Sequence, residues 1–270
     1  MPPSPHVAAL LVYPVKSCAG ISVESTEALP TGLAHDREWM VVDAQGRFVT
    51  QREAARLALV KTALAPEGLR IEAGGSSVCL PFDHEGPLRE VSVWRSRVPA
   101  FDAGDEAAAL FSDFLGQPLR LVRFDARHAR LSNRDWTGGL KAPNLFSDGY
   151  PVLVVSEGSL ADLNARIGGG PLPMARFRPN IVLGGVEPWA EDGLSDFSVG
   201  GVELRIVKPC TRCVITTTDQ DRGERDGVEP LRTLQAFRTD RRVGGVTFGQ
   251  NAIVRRPGCL AVGDAVSRRR

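Results

Sequence analysis

The sequence predicts a mixed α/β, β-rich fold in two domains, with a few helices around the strands. Its 270 residues are well above the roughly 150 residues of an average domain, so two domains, or one large one, are expected. Short β-branched runs, bounded by Gly, Pro, Asp or Asn, recur along the chain, which is typical of twisted sheets and barrels. These strand-like runs are residues 7–12, 39–42, 48–50, 69–72, 91–94, 119–124, 151–155, 181–183, 202–207, 214–218 and 252–255.

Two segments carry the periodicity and the end signals of helices. Residues 105–115 place their apolar side chains near one face, begin with acidic residues and stop at Gly116. A second helix is predicted to open on Ser156, a favourable N-cap residue, and to end near Gly168. Residues 53–59 are a shorter helical candidate.

We place a domain boundary soon after the first helix, so that residues 1–118 form an N-terminal domain and residues 119–270 a second one. Beyond the boundary, residues 125–144 are polar and Arg-rich, contain Trp136, and are typical of a long loop. Loops longer than about 12 to 15 residues in compact domains are often functional lids. This loop is therefore either a cover over a ligand or a solvated connector.

Composition and charge exclude several classes of protein. Hydrophobic residues make up 43% of the chain and charged residues 24%, values that are typical of a folded globular protein. A net charge of +1 lacks the basic excess of a dedicated nucleic-acid binder. The apolar runs are far shorter than the roughly 18 residues of a membrane span, and the N-terminus lacks a secretory signal pattern. We therefore expect a cytoplasmic protein with neither nucleic acid nor membrane as partner.

The cysteines are odd in number and scattered, which argues against a secreted disulfide framework and favours a reducing compartment. They are Cys18, Cys79, Cys210, Cys213 and Cys259. The four histidines are isolated from one another and from the close cysteine pair. Neither a histidine metal set nor a Ser-His-Asp triad is therefore expected.

Two of the cysteines form a Cys-x-x-Cys pair, Cys210 and Cys213, which can chelate a soft metal or form a redox disulfide. Structural zinc is disfavoured because the other cysteines form no second pair. A thioredoxin-like site is disfavoured because residues 214–218 favour a strand over the required helix. There remains one thiolate in a turn between strands, with Lys208 and Arg212 nearby to favour its charged form. The alternative is that both cysteines are small buried hydrophobic residues.

Three polar segments next to predicted strands carry conspicuous cations. Lys16 and Ser17 follow the first strand, Arg37 precedes the second, and Arg178 precedes the strand at 181–183. Loops at strand ends can aim such side chains at one phosphate group. The alternative is that the three cations are separate surface charges.

In these segments the sequence resembles the MOSC proteins, a family named after the C-terminal domain of molybdenum cofactor sulfurase. The similarity is greatest to the branch with the mitochondrial amidoxime-reducing component and bacterial hydroxylaminopurine reductases. The matching motifs follow the family's order over nearly the whole chain. They are Tyr13-Pro14-Val15-Lys16-Ser17-Cys18, Asp36-Arg37-Glu38-Trp39, Ser156-Glu157-Gly158-Ser159-Leu160, Phe177-Arg178-Pro179-Asn180 and Cys210-Thr211-Arg212-Cys213 with Thr216-Thr217-Thr218-Asp219.

The resemblance implies an N-terminal β-barrel-like domain, a MOSC β-barrel domain and a molybdenum cofactor of the molybdopterin type. It makes Cys213 the metal ligand and the catalytic residue, and leaves Cys210 a structural role. By matching motif, the cofactor-binding residues are Lys16, Ser17, Arg37, Asp148, Gly149, Tyr150, Arg178, Asn180, Thr211 and Arg212. Gly149 and Tyr150 depart from the small hydroxyl residues of the animal proteins, so only backbone contacts are expected there.

The resemblance also implies an activity, the reduction of small-molecule N-hydroxylated substrates such as hydroxylamines, amidoximes and N-hydroxylated bases. No cysteine cluster follows the last motif before Arg270. A separate electron-transfer protein of the ferredoxin, flavodoxin or cytochrome type is therefore expected to supply electrons. One alternative is a carrier of the molybdenum cofactor or of sulfur without reductase turnover, and a weaker one is a zinc-bound structural module.

Overall fold

The computed structural model describes residues 4–268, which form a β-rich chain with three α-helices. The helices are α1 (Asp105–Leu115), α2 (Glu157–Ile167) and α3 (Leu231–Phe237). Short 3-10 helices span Ala55–Leu59, Met174–Arg176, Ala190–Gly193 and Val214–Thr217. The strands are β1 (His6–Val12), β2 (Ile21–Val23), β3 (Ser25–Leu29), β4 (Gly32–Leu33), β5 (Trp39–Asp43), β6 (Lys61–Ala65), β7 (Gly68–Ala73), β8 (Ser76–Leu80), β9 (Leu88–Val93), β10 (Ser96–Asp102), β11 (Leu119–Phe124), β12 (Arg130–Leu131), β13 (Pro143–Asn144), β14 (Val152–Ser156), β15 (Ile181–Gly184), β16 (Asp196–Val199), β17 (Val202–Thr211), β18 (Thr218–Asp219), β19 (Glu224–Arg225), β20 (Thr239–Asp240), β21 (Gly245–Arg256), β22 (Gly258–Ala261) and β23 (Val266–Arg268).

The largest sheet joins the beginning of the chain to its second half. Its strand order is β2-β1-β15-β14-β21-β17-β16-β23, with β20 added to one end of β21. The pairs are antiparallel except β14 with β15, which run parallel because α2 crosses between them. An apolar core lies against this sheet and includes Val7, Leu10, Val154, Ile181 and Phe197, none of which is exposed.

Two smaller sheets belong mainly to the first half of the chain. One has the order β5-β11-β10-β9 and the other β6-β7-β8. Helix α1 places Ala107 and Phe111 in the core between them, together with Trp39, Leu69 and Leu121. Burial of such side chains contributes about 1.5 to 3 kcal/mol each relative to exposure, so this half has a core of its own.

The two halves share strands across the predicted boundary at residue 118. Strand β1 pairs with β15, and β3 pairs with β22 near the end of the chain. In the other direction, β11 follows residue 118 but pairs with β5 and β10. The division at residue 118 stays a prediction, and these pairings tie the two halves into shared sheets.

Both predicted helices are confirmed, with the expected ends. Gly116 and Gly168 adopt the left-handed conformation that ends α1 and α2. Ser156 is the N-cap of α2, because its hydroxyl accepts the Ser159 N–H at 3.0 Å. Residues 53–59 form the shorter 3-10 helix Ala55–Leu59.

Two predicted strands are wrong, and local hydrogen bonds explain both. Residues 48–50 form only one bridge to β5, since the Glu53 carboxylate binds the Thr50 N–H and hydroxyl and turns the chain. In 214–218, the Thr216 and Thr217 hydroxyls donate to the carbonyls three positions earlier, those of Cys213 and Val214, and close a 3-10 turn. Side chains that bond their own backbone compete with the sheet in this way.

The polar stretch 125–144 is tied back onto the fold. Its ends pair as the short ladder of β12 and β13. Arg130, which is buried, donates to the carbonyls of Leu145, Ser147 and Asp148. The stretch therefore supports the segment around Asp148, while its role as a lid stays a prediction.

Within residues 4–268, none of the helices has the length and hydropathy of a membrane span.

Gly249 is a site where only glycine fits, because β21 passes closely over β14 there. Its φ is +76°, and a Cβ would lie 2.6 Å from Val155 Cγ2 and 2.8 Å from the Val154 carbonyl oxygen. We predict that Gly249→Ala lowers the free energy of unfolding by at least about 2 kcal/mol, measured by urea denaturation. Gly170→Ala is the control, because nothing lies within 4 Å of its Cβ position. Equal stability of the two variants would contradict this packing.

Candidate functional site

The two close cysteines lie in different surroundings at the end of β17. Cys210 packs against the apolar cluster that contains Phe177 and Phe248, and Arg212 Nη1 donates to its sulfur at 3.0 Å. Cys213 follows β17, immediately before the 3-10 turn, and is a half-buried free thiol. Cys210 therefore belongs to the rim of the core, whereas Cys213 lies in the turn after β17; both residues are half-buried.

Tyr13 brings two arginines together. Its ring is buried, with 2% of the residue exposed, and the guanidinium carbons of Arg37 and Arg178 lie 4.3 and 4.2 Å from the ring centroid. Both distances are typical of cation–π contacts. Gly20 packs directly against the ring, since a Cβ at that position would lie only 2.4 Å from Tyr13 Cε1. One fixed ring thus holds two positive charges.

A carboxylate and an amide hold Arg37 in place. Its Nη1 donates to the two oxygens of Asp36 at 2.6 and 2.8 Å and to Asn180 Oδ1 at 3.2 Å. Burial raises the pKa of the Asp36 carboxyl, and the charge and hydrogen bond of Arg37 oppose that rise. Asn180 Oδ1 also accepts the Leu153 N–H at 3.1 Å, so Asn180 fixes Arg37 relative to β14.

Three buried donors around Arg37 and Arg178 have no hydrogen-bond partner within residues 4–268. They are the Tyr13 hydroxyl, Arg178 Nη2 and Arg212 Nε. The neighbouring guanidinium nitrogens do have partners, since Arg178 Nη1 donates to the Cys18 carbonyl at 2.6 Å and Arg212 Nη2 to the Phe177 carbonyl at 2.8 Å. Each unpartnered buried donor costs about 1 to 3 kcal/mol, so the arrangement favours an anion that would accept from them.

Burial shifts the pKa values of this group. It lowers the pKa of Arg178 to about 10, partly opposed by Tyr13, while the charge of Arg37 lowers it further. It raises the pKa of Tyr13 to about 12, with Arg178 and Arg37 opposing the rise. At neutral pH Arg178 therefore remains cationic and the Tyr13 hydroxyl remains a neutral donor.

Lys16 is the next cation along the site. It is 5% exposed, and its Nζ donates to the Phe146 carbonyl at 2.8 Å and to the Asp148 carboxylate. Burial lowers the pKa of Lys16, and the charge of Asp148 opposes this. For Asp148, whose side chain is 56% exposed, partial desolvation opposes ionisation, but Lys16 and Arg52 lower its pKa well below the usual range. Trp94 Nε1 also donates to Asp148, at 3.2 Å.

Backbone hydrogen bonds join the loops that carry these cations. The Lys16 N–H donates to the Trp39 carbonyl at 2.8 Å, and the Arg37 N–H donates to the Tyr13 carbonyl at 2.8 Å. The Phe146 N–H in turn donates to the Arg37 carbonyl at 3.0 Å. Three segments distant in sequence are therefore in fixed register at the site.

Backbone strain is concentrated in the same place. Among residues 4–268, six non-glycine residues have positive φ, and four of them belong to this group. They are Ser17 at 69°, Arg37 at 51°, Trp94 at 55° and Arg178 at 55°. Such conformations cost about 1 to 3 kcal/mol each and persist where surrounding contacts impose them. The cation positions are therefore imposed by the fold.

The structure brings most of the predicted site residues together. The connected group contains Lys16, Arg37, Asp148, Arg178, Asn180, Arg212 and Cys213. Ser17 is buried beside Lys16, and its carbonyl accepts from Gln51 Nε2 at 2.7 Å. Among the described contacts, none joins the side chains of Tyr150 or Thr211 to the cations. Gly149 contributes its carbonyl to Asn144 Nδ2 at 3.5 Å.

Sequence reasoning missed two arginines that meet the Cys213 segment. Arg52 Nη2 donates to Cys213 Sγ at 3.3 Å. Arg225 Nη1 donates to the Val214 carbonyl at 2.6 Å, and its Nη2 donates to the carbonyls of Gln51 at 2.9 Å and Arg52 at 3.1 Å. Neither arginine lies in one of the recognised motifs. The contacts of Arg52 with Cys213 and of Arg225 with residues 51 and 52 join segments more than 150 positions apart, which no local signal predicts.

The site offers one soft ligand beside several cations. In the described part of the chain, no three His, Cys, Asp or Glu side chains converge as a metal-binding group. A cysteine sulfur is a soft ligand that suits a transition metal.

Comparison with known proteins identifies the family. Residues 4–118 match the MOSC N-terminal beta barrel domain, and residues 141–267 match the MOSC domain. Mitochondrial amidoxime-reducing component 1 of Mus musculus is 36% identical over 276 residues, which cover 96% of this chain and 81% of that protein. The chain belongs to the MOSC family. The human protein of the same name is 35% identical over 277 residues, covering 96% of this chain and 82% of its own length.

Family membership confirms the resemblance and the β-rich two-part fold of a MOSC protein. A third relative, mitochondrial amidoxime reducing component 2 of Rattus norvegicus, is 36% identical over 280 residues, covering 97% of this chain and 82% of that protein. The two matched domains leave residues 119–140 between them. That interval includes β11, which completes a sheet of the first half of this MOSC chain.

We predict that Arg225 stabilises the Cys213 segment of this MOSC fold. Arg225→Gln removes charge-assisted hydrogen bonds to three backbone carbonyls, so the free energy of unfolding should fall by about 2 kcal/mol. Hydrogen exchange should also accelerate at 213–218. Arg222→Gln is the control, because that side chain is 56% exposed and forms only surface ion pairs. Unchanged hydrogen exchange at 213–218 in Arg225→Gln would contradict this stabilising role of Arg225.

Proposed function

We propose that this chain is a molybdenum-cofactor-dependent oxidoreductase that reduces N-hydroxylated compounds. One observation carries the proposal: three unpartnered buried donors lie in the cationic group that connects to the half-buried thiol of Cys213. The similarity to proteins named amidoxime-reducing components supports the same substrate class. Amidoximes, hydroxylamines and N-hydroxylated bases share the N–O bond that such a reaction breaks.

The residues present fit an anionic pterin cofactor. Arg178 Nη2, Arg212 Nε and the Tyr13 hydroxyl are donors that a phosphate group accepts from. The proposed set also includes Lys16 and Arg37, which form ion pairs with Asp148 and Asp36. Ser17, Asp148, Gly149, Tyr150, Asn180 and Thr211 complete the proposed binding set, with Asn180 acting through Arg37. Cys213 is the proposed metal ligand and catalytic residue.

The protein's own residues prepare the site. When bound, the molybdenum cofactor supplies two-electron chemistry in which N–OH, two electrons and two protons become N–H and water. Cys213 contributes the sulfur ligand, and its position after β17 is fixed by the 3-10 turn. Tyr13 keeps Arg37 and Arg178 side by side, so an anion bound there would accept charge-assisted hydrogen bonds of about 1.5 to 3 kcal/mol each.

A second candidate function is that of a cofactor or sulfur carrier. The observation that favours it is that the Cys213 thiol is free and partly accessible, as a persulfide carrier requires. The two functions differ in one measurable property. A carrier does not oxidise a reduced dye in the presence of an N-hydroxylated substrate, whereas a reductase does.

We also propose a cytoplasmic location, since all five cysteines are free, as expected in a reducing compartment. The relatives are named mitochondrial, and that description applies to them.

The cysteines other than Cys210 and Cys213 are scattered, and Cys18 is buried while Cys79 and Cys259 are exposed. They do not form the cysteine set of an iron–sulfur cluster within residues 4–268.

The main test separates chemistry from cofactor retention. We predict that Cys213→Ser abolishes reduction of benzamidoxime and of hydroxylaminopurine by the dye-reduced protein, while most of the pterin is retained. Arg178→Met should instead lower pterin and molybdenum content together, because it removes donors to the anion. Cys79→Ser is the control, since this thiol is exposed and distant in sequence from the site motifs. Full activity of Cys213→Ser would refute the proposed ligand role.

The electron source gives an independent prediction. The purified chain with NADH alone should not turn over, because it needs a separate ferredoxin, flavodoxin or cytochrome to deliver electrons. Addition of a reduced dye or of such a carrier with its reductase should restore substrate reduction. Oxidation of NADH coupled to substrate reduction by the purified chain alone would overturn this proposal.

A further inference from the structure

We propose that Arg52 is a positioning residue that hydrogen-bonds the sulfur of Cys213 and thereby raises the reduction potential of the metal bound there. This inference rests on the proposed function. It concerns a side chain of the N-terminal half that no family motif marks. Arg52 and Cys213 are 161 positions apart, yet Arg52 Nη2 lies 3.3 Å from Cys213 Sγ.

Three neighbours hold the guanidinium group of Arg52 at this sulfur. Its carbon lies 4.7 Å from the centroid of the Trp94 ring, a cation–π distance. Its Nη2 is also 3.6 Å from Asp148 Oδ2, and its Nη1 is 3.5 Å from Thr50 Oγ1. The side chain is 22% exposed, so the group is largely shielded from water.

The Trp94 ring is itself fixed, although 47% of the residue is exposed. Its Nε1 donates to Asp148 Oδ1 at 3.2 Å, and its ring lies 5.2 Å from the Phe48 ring. The backbone of Trp94 has a φ of 55°, a conformation that a bulky residue adopts only where its surroundings impose it. Trp94 and Asp148 therefore contact each other and the guanidinium of Arg52.

The backbone of Arg52 is fixed from the other side by Arg225. The same guanidinium that binds the Arg52 carbonyl at 3.1 Å binds the Val214 carbonyl at 2.6 Å. Val214 directly follows Cys213 in the chain. The distance between the Arg52 donor and the Cys213 sulfur is thus set at both the side chain and the backbone.

The physical effect follows from the charge. A guanidinium remains protonated at all working pH values and is always a donor. A hydrogen bond to a metal-bound sulfur withdraws electron density from the ligand, and such bonds are among the determinants of the potentials of thiolate-bound centres. A positive charge there also disfavours the more positive, oxidised metal. The reduced state should therefore be stabilised by Arg52.

The experiment is a potentiometric titration of the cofactor-loaded protein, followed by electron paramagnetic resonance of the molybdenum. We expect Arg52→Met to shift the midpoint potential in the negative direction and to change the signal, with unaltered molybdenum content. Arg52→Lys, which keeps the charge, should recover part of the shift. Arg56→Gln is the control, because Arg56 stacks on Phe114 at 4.5 Å and should leave the potential unchanged.

The outcomes separate this inference from the proposed function. The role of Arg52 would be overturned if both Arg52→Met and Arg52→Lys had wild-type potentials and signals. It would also be overturned if Arg52→Met lost its molybdenum while Arg52→Lys kept it. If Arg52→Met does not fold, Arg52→Gln takes its place with the same expected direction. A wild-type protein that binds no molybdenum would instead contradict the proposed function.

Discussion

The stacking of two guanidinium groups on one buried tyrosine ring is the interaction on which the site depends. Arg37 and Arg178 both lie within about 4.3 Å of the Tyr13 centroid, although burial of a charged group is costly unless it is paired. Asp36 and a few backbone carbonyls pair part of each guanidinium. Within residues 4–268, Arg178 Nη2 and the Tyr13 hydroxyl are left without partners. An anion in that position would relieve an energetic cost that the fold otherwise carries.

The topology explains how such a costly group can form. Strand β1 lies beside β15 in the largest sheet. Tyr13 directly follows β1 and Asn180 directly precedes β15, so the two residues lie at the ends of neighbouring strands. The Leu11 N–H donates to the Asn180 carbonyl at 2.9 Å, which keeps the two loops in register. The β1–β15 pairing has a hydrophobic core beneath it. Burial of this core contributes to holding the loops in their strained conformations.

Much of this arrangement was predictable from local sequence signals. The Gly and Ser signals at the ends of α1 and α2 act over a few residues, and both helices formed as expected. Lys16, Arg37 and Arg178 lie in motifs of the family, and the structure gathers them. The strand predicted at 214–218 was wrong because threonine hydroxyls bonded the preceding backbone, which β propensity does not take into account. Arg52 and Arg225 depend on contacts between distant segments, and no local signal encodes such contacts.

The most direct test of this account is a crystal structure of the protein purified with its cofactor. The account predicts phosphate oxygens of a pterin cofactor within hydrogen-bond distance of Arg178 Nη2 and Arg212 Nε, and the metal bound to Cys213 Sγ. A cofactor bound elsewhere, with these donors hydrogen-bonded only to water or to the protein, would contradict it.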